Sequence, residues 1–255
     1  MQCAGEGLIR IAGPNVVETR PISIADISAV NPSPPPPAVK YSGSLAAGFT
    51  ATRGNTDTMA GNAAARFTAR AKRQRFRIKG KYNYGETDGV LTTRNVSGSI
   101  KYDFFVYEGL YTYAHSLFER DDFQDLRLRS TLGAGLGYQI LDEDDVALSL
   151  EAGCSYVNSN YEIAEDEEGT AGRWALDFDY KIVPEKVRFY HSHEGYYNFE
   201  DETVYITSET GLRLTIVKNF FAHAGVEYSY DSDPPEGNED YDVTYIAGLG
   251  YEFDL

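Results

Sequence analysis

The stretch Arg75–Tyr84, "RFRIKGKYNY", alternates without a break. Arg75, Arg77, Lys79, Lys81 and Asn83 fall on one side, and Phe76, Ile78, Gly80, Tyr82 and Tyr84 on the other. A helical period would scatter the cations around a cylinder, whereas a period of two gathers them on one face of a strand. The stretch therefore predicts a strand with one cationic face and one apolar face.

The pattern recurs. In "RWALDFDYKI", residues 173–182, Trp174, Leu176, Phe178, Tyr180 and Ile182 alternate with Arg173, Ala175, Asp177, Asp179 and Lys181. In "LRLRSTLGAGLGYQI", residues 126–140, the leucines, Tyr138 and Ile140 oppose Arg127, Arg129, Thr131 and three glycines. Breaking the chain at its turn residues predicts strands over 39–53, 58–71, 75–84, 92–105, 109–120, 126–140, 146–158, 172–182, 187–198, 203–216, 220–231 and 241–255. A tilted strand crosses a bilayer in ~9–11 residues, whereas strands of soluble sheets centre on about five or six. The even strand count suits a single-chain membrane barrel. The expected fold class is all-β, a single antiparallel transmembrane β-barrel of twelve strands with a short N-terminal β-like segment.

Alternation does not say which face points outward. A soluble sandwich or lipocalin-like barrel would turn the same apolar face inward. Strand length favours the membrane, as does a polar face rich in Gly, Ser, Thr and Asn with charges of both signs. The aromatics of "YDFFVYEGLYTY", Tyr102–Tyr113, are expected in an interfacial girdle.

Composition sets the outer limits. A chain of 255 residues holds one large β domain, and no run approaches eighteen apolar residues, so no helix is expected to cross a membrane. A net charge of −16 and a pI near 4.6 exclude a general nucleic-acid binder. Cys3 and Cys154 are too few for a disulfide framework or a zinc site. No signal peptide is visible in "MQCAGEGLIR", and lipidation of Cys3 lacks the apolar segment that should precede it. Residues 1–30 contain the β-like pieces "GLIRIAG" and "PISIADISAV"; residues 31–38, with "NPSPPPP", are an extended linker; residues 39–255 are the barrel. The turns fall into two sets. Around 72–74, 106–108, 141–145, 184–186 and 217–219 they are short, whereas 85–91, 159–172 and 232–240 are expected as longer external loops.

The candidate lumen charges are Arg66, Arg70, Arg75, Arg77, Lys79, Lys81 and Lys101 on early strands and Asp177, Asp179, Glu194, Glu209, Glu227 and Glu252 on later ones. Cations on one wall and carboxylates on the other would either create a transverse field in an open pore or pair and plug a narrow lumen. A second cluster, Glu119, Arg120, Asp121, Asp125, Arg127 and Arg129, is expected as a charged hairpin collar, with Arg127 and Arg129 inward and Leu126 and Leu128 toward lipid. His115, His191, His193 and His223 are expected at the membrane interface. "HSHEG" puts Ser192 and Glu194 on the face opposite His191 and His193, so no nucleophile–base pair forms within that strand. Nucleophile-elbow and zinc-protease motifs are lacking, and no catalytic residue, metal site or cofactor is expected. The acidic loop residues Asp231, Asp233, Glu236, Glu239, Asp240 and Asp242 do not have EF-hand spacing.

Four stretches carry a family resemblance: "GSLAAGFTATRGNTDT", "FERDDFQDLRLRSTLGAGLGY", "HSHEGYY" and "YDSDPPEGNEDYDVTYIAGLGYEFDL". Together they resemble the bacterial family of salt-induced outer-membrane proteins, a domain of unknown function, over about residues 41–255. The resemblance implies a precursor signal peptide, export to the outer membrane and a barrel; it supplies no activity. The end of the chain is similar to the final strand read by barrel-assembly machinery, with Gly250, Phe253 and Leu255 in its glycine, aromatic and hydrophobic positions. The expected role is a passive small-solute pore or a structural envelope component linked to osmotic or salt stress. Its expected partners are outer-membrane lipid, lipopolysaccharide, the assembly machinery and small polar solutes, with the N-terminal segment in the periplasm. A lipid-active outer-membrane enzyme and a soluble ligand-binding barrel are the alternatives.

Overall fold

The computed structural model describes residues 2–5, 8–10, 22–23, 25, 39–54, 56–234 and 238–255. The chain divides into two compact units, Met1–Pro37 and Ala38–Leu255. In the first, β1 (Gln2–Gly5), β2 (Leu8–Arg10) and β3 (Ile22–Ser23) pair antiparallel. The expected linker, residues 31–38, lies outside the described residues.

The second unit is a closed barrel of twelve antiparallel strands. Its first six are β4 (Val39–Thr52), β5 (Thr58–Ala71), β6 (Gln74–Thr87), β7 (Val90–Phe105), β8 (Leu110–Asp121) and β9 (Leu126–Asp142). The second six are β10 (Val146–Tyr161), β11 (Glu167–Val183), β12 (Val187–Asn198), β13 (Val204–Val217), β14 (Phe220–Asp231) and β15 (Tyr241–Asp254). Each strand pairs with its sequence neighbours, and β15 closes on β4.

The strands run past several of the expected boundaries. The loop expected over 85–91 shrinks to Asp88 and Gly89, both at positive φ (51° and 79°), the geometry of a two-residue hairpin turn. The loop expected over 159–172 reduces to 162–166, because Glu167–Gly172 joins β11. The asymmetry of the two ends survives: 232–240 is the longest connection, and the opposite end carries only 72–73, 106–109, 143–145, 184–186 and 218–219.

Exposure decides which face is outside. Leu45, Phe49, Leu132 and Leu249 are each more than 60% exposed, while Asp103 and Tyr111 are 0% exposed. The apolar face of the strands therefore points outward and the charged face inward, the reverse of a soluble barrel. A belt of that kind has a favourable solvent only in a bilayer.

The girdle expected over Tyr102–Tyr113 splits in two. Tyr102 and Phe104 face outward, but Phe105, Tyr111 and Tyr113 are buried inside and form an aromatic cluster. The glycines of β9 explain how they fit. Gly137, Gly135 and Gly133 lie opposite Tyr111, Tyr113 and His115, and a Cβ at each would overlap the facing ring. Aromatic side chains of β8 thus lie flat over a glycine row of β9.

Candidate functional site: a charged lumen

Closure brings together charges that are far apart in sequence. Arg77 of β6 touches Asp103 at 3.2 Å, Glu151 at 3.4 Å and Asp177 at 3.1 Å. Glu151, on β10, also accepts from Arg173 at 2.9 Å, from the Tyr111 hydroxyl at 2.7 Å and from Lys101. Asp103 holds Arg75 at 2.6 Å and Lys101 at 3.0 Å. Arg75 donates to Gln139 as well and lies over the Tyr111 and Phe105 rings. The result is a lattice of buried charges in which each carboxylate has two or more cationic partners, the condition under which buried ions are tolerated.

A second set lies beside it. Arg66 meets Glu209 at 2.8 Å, and Lys81 bridges Glu209 at 2.5 Å and Glu227 at 2.6 Å. Arg173 also holds Glu194 at 2.6 Å. Lys79 is the outlier: among the described residues the one carboxylate within 4 Å of it, Asp177, is 3.9 Å away. Toward the short-turn end, Arg70 stacks on Phe105 and reaches Asp142 at 3.8 Å. Arg188 meets Asp179 at 3.3 Å, and Glu252 lies 3.8 Å and 4.0 Å from Arg188 and Arg213.

The expected lumen charges all lie on inward strand positions, and the opposed walls meet instead of facing each other across open water. Several members of the lattice were not singled out from the sequence, chiefly Asp103 and Glu151. Both carry a legible signal: Asp103 shares the phase of Lys101, and Glu151 sits between Ser149 and Gly153 on the polar face of β10. Above the lattice lies a well of about 530 Å³, lined by Lys79, Ser97, Ser192, Thr207 and Glu194 among others. Its wall extends to Gln124, Asn238 and Asp242 at the long-loop end.

The expected hairpin collar is corrected by a bulge. Glu119 faces Arg129, but Asp121 faces Leu126, so β9 carries one extra residue and its alternation changes phase. Leu126 is consequently buried and lines the well, while Arg127 is exposed, the reverse of the expected orientation for both. Arg129 points inward as expected, to Ser159 at 3.0 Å and Asp231 at 3.5 Å, and lies over the Tyr205 ring. The other members stabilise turns. Asp121 accepts from the backbone of Phe123 and Gln124, Asp125 (φ 58°) from that of Ile163 and Ala164, and Arg120 pairs with Asp122 at 2.7 Å. Glu119 accepts from the Tyr205 hydroxyl at 3.3 Å.

The histidines divide. His191 and His193 face outward, bonded to Thr210 and Ser208, and His193 accepts from the Trp174 indole at 3.0 Å. His115 and His223 are buried inside, a correction to their expected interfacial placement. At the chain end, Gly250 leaves room for the Phe221 ring, Phe253 lies over Gly43, and Leu255 exchanges backbone bonds of 2.9 and 2.8 Å with Tyr41. Among the described residues no group of His, Cys, Asp and Glu has metal-binding geometry; Glu236 lies outside them.

The apolar belt and polar interior define a membrane-spanning β-barrel of the outer-membrane type. The chain belongs to the family described as "Protein of unknown function, DUF481", whose model matches residues 45–253. No functionally curated protein matches it. Solved structures similar to the chain include the translocator domain of autotransporter NalP from Neisseria meningitidis, at 11% identity and a TM-score of 0.46, covering 86% of this chain and 89% of that one. They also include the NanC porin, at 9% identity and a TM-score of 0.46, covering 84% and 97%. The anion-selective porin from Comamonas acidovorans, at 8% identity and a TM-score of 0.40, covers 84% and 99%.

Proposed function

We propose that the protein is a non-catalytic barrel of the bacterial outer membrane that admits small polar solutes to a lumenal well and restricts their passage. The observation that carries this is the buried lattice around Glu151, Arg77 and Asp103, backed by the aromatic cluster of Phe105, Tyr111 and Tyr113. A wide pore would leave these charges apart and hydrated. The well faces the cell exterior, the short turns and the N-terminal unit face the periplasm, and residues 31–38 tether that unit to the barrel. Gly250, Phe253 and Leu255 serve the assembly machinery, and the outer belt meets lipid and lipopolysaccharide. A link to osmotic or salt stress rests on the family resemblance alone.

Planar-bilayer conductance tests the proposal. At about 0.15 M salt, where the Debye length is near 8 Å, purified protein should give currents close to the bare-membrane level. A steady ohmic conductance of porin size would overturn it. In that event the lumen cations become selectivity groups, and neutralising Lys79 and Lys81 should change the cation-to-anion permeability ratio.

A further inference from the structure

The barrel wall is not equally zipped all round. Its other seams pair 11 to 15 residues each. The closing seam pairs six, from Asp254↔Ser42 to Leu249↔Ala47. Continuing that register would oppose Gly48 to Gly248, Phe49 to Ala247, Thr50 to Ile246, Ala51 to Tyr245 and Thr52 to Thr244, and none of these pairs forms. β4 pairs with β5 up to Thr52↔Thr58, and β15 pairs with β14 up to Tyr241↔Tyr230, so both strands stay extended there. Among the described residues, their facing edges have no other strand partner.

The backbones come together at the lower end of this stretch, where a Cβ on Gly248 would overlap the Ala47 carbonyl oxygen. A Cβ on Gly48 would overlap the Ala247 carbonyl oxygen, so the strands come together at both glycines without forming the ladder. Five unmade pairs at about 3.3 Å per residue leave a seam roughly 16 Å tall without ladder hydrogen bonds. Unsatisfied backbone groups cost several kcal/mol each in hydrocarbon, so a membrane barrel should not leave such a stretch without use or cover.

Both sides of the seam fit an amphiphile. Outside, its flanks carry exposed aromatic side chains: Phe49 is 70% and Tyr245 81% exposed. Inside, Thr244 lines the large well, and Ala46 and Ile246 line a smaller cavity beside Arg66 and Glu209. The inward positions Ala46, Gly48, Thr50, Thr244, Ile246 and Gly248 carry no charge, and all but Ile246 are small. An acyl chain could lie against the aromatic flanks while its polar head enters the well.

We propose that the upper β4–β15 seam is a lateral portal through which the polar head of a single-chain amphiphile passes from the bilayer into the lumenal well. The portal rests on the membrane-barrel assignment made above and names the class of molecule the well receives. A second strand could also pair with these edges, and the test separates the two.

The full chain, with Cys3→Ala and Cys154→Ala, carries a photo-crosslinking p-benzoylphenylalanine at Ser97, a well residue on β7, four strands from β15. Reconstituted in phosphatidylcholine vesicles with palmitoyl-lysophosphatidylcholine as probe, it should crosslink the probe on irradiation. A bis-maleimide staple between Phe49→Cys and Ala247→Cys should lower the yield at least tenfold, while either cysteine alone, modified with a monofunctional maleimide, should not. Heat-modifiable migration confirms that each variant is folded. Lack of crosslinking in the unstapled protein, or a yield unchanged by the staple, would overturn the portal. So would crosslinked dimers in place of lipid adducts, which would assign the edges to strand pairing. None of these readouts uses conductance, so an open pore and a missing portal are told apart.

Discussion

Arg77 on β6 and Asp177 on β11 stand five strands apart around the barrel wall, yet their side chains meet across the lumen at 3.1 Å. The contact turns two walls of opposite charge into a cross-brace. The interior consequently does the work that an apolar core does in a soluble protein, and removing one charge strands its partners.

Glu151 is the sharpest case. Its carboxylate serves Arg77, Lys101 and Arg173 together. Breaking a buried ion pair by removing one partner costs ~3–5 kcal/mol. Glu151→Gln should therefore lower the temperature of the heat-modifiable transition clearly, whereas Glu168→Gln, at an exposed position, should leave it in place. Equal transitions for wild type and Glu151→Gln would show that the lattice is not structural.

The aromatic cluster should act on passage more than the charges do. Tyr111→Ala and Phe105→Ala together remove two rings on which Arg75 lies and leave the lattice carboxylates in place. The double variant should show discrete channel openings in planar bilayers under conditions where the wild type shows none. A silent double variant would place the barrier elsewhere in the lumen.

Trp174 reports the orientation of the wall. It is the single tryptophan of the chain, faces outward and donates to His193. Phospholipids brominated on their acyl chains should quench its fluorescence strongly, and a water-soluble quencher should act weakly. His193→Ala removes the indole's acceptor and should shift its emission. The opposite quenching order would contradict a lipid-facing belt.

Most of the architecture was legible because a period of two survives along nearly every strand, and because lipid outside and charge inside reinforce it. The failures cluster where alternation is broken or where polarity does not predict direction. At Leu126–Arg129 a bulge inserts one residue and exchanges the faces of Leu126 and Arg127, which no periodic reading detects. Phe105, Tyr111 and Tyr113 are aromatic yet inward, because the glycine row of β9 makes room for them. The partners of Arg77 could not be read at all, since they depend on which strands face one another once the barrel closes.

The bulge itself makes the last prediction. Arg129 and Arg127 are two residues apart in one charged hairpin, and sequence alone treats them as equivalent. In the structure Arg129 is buried, bonds Ser159 and Asp231 and covers the Tyr205 ring, while Arg127 is exposed with no ion pair among the described residues. Hydrogen bonds to charged groups contribute ~1.5–3 kcal/mol, whereas exposed substitutions usually stay within about 0.5 kcal/mol. Arg129→Ala should thus lower stability to urea in detergent or vesicles by ~2 kcal/mol, and Arg127→Ala should be nearly silent. Similar losses for both would mean that the bulge does not form and that both arginines point into the lumen.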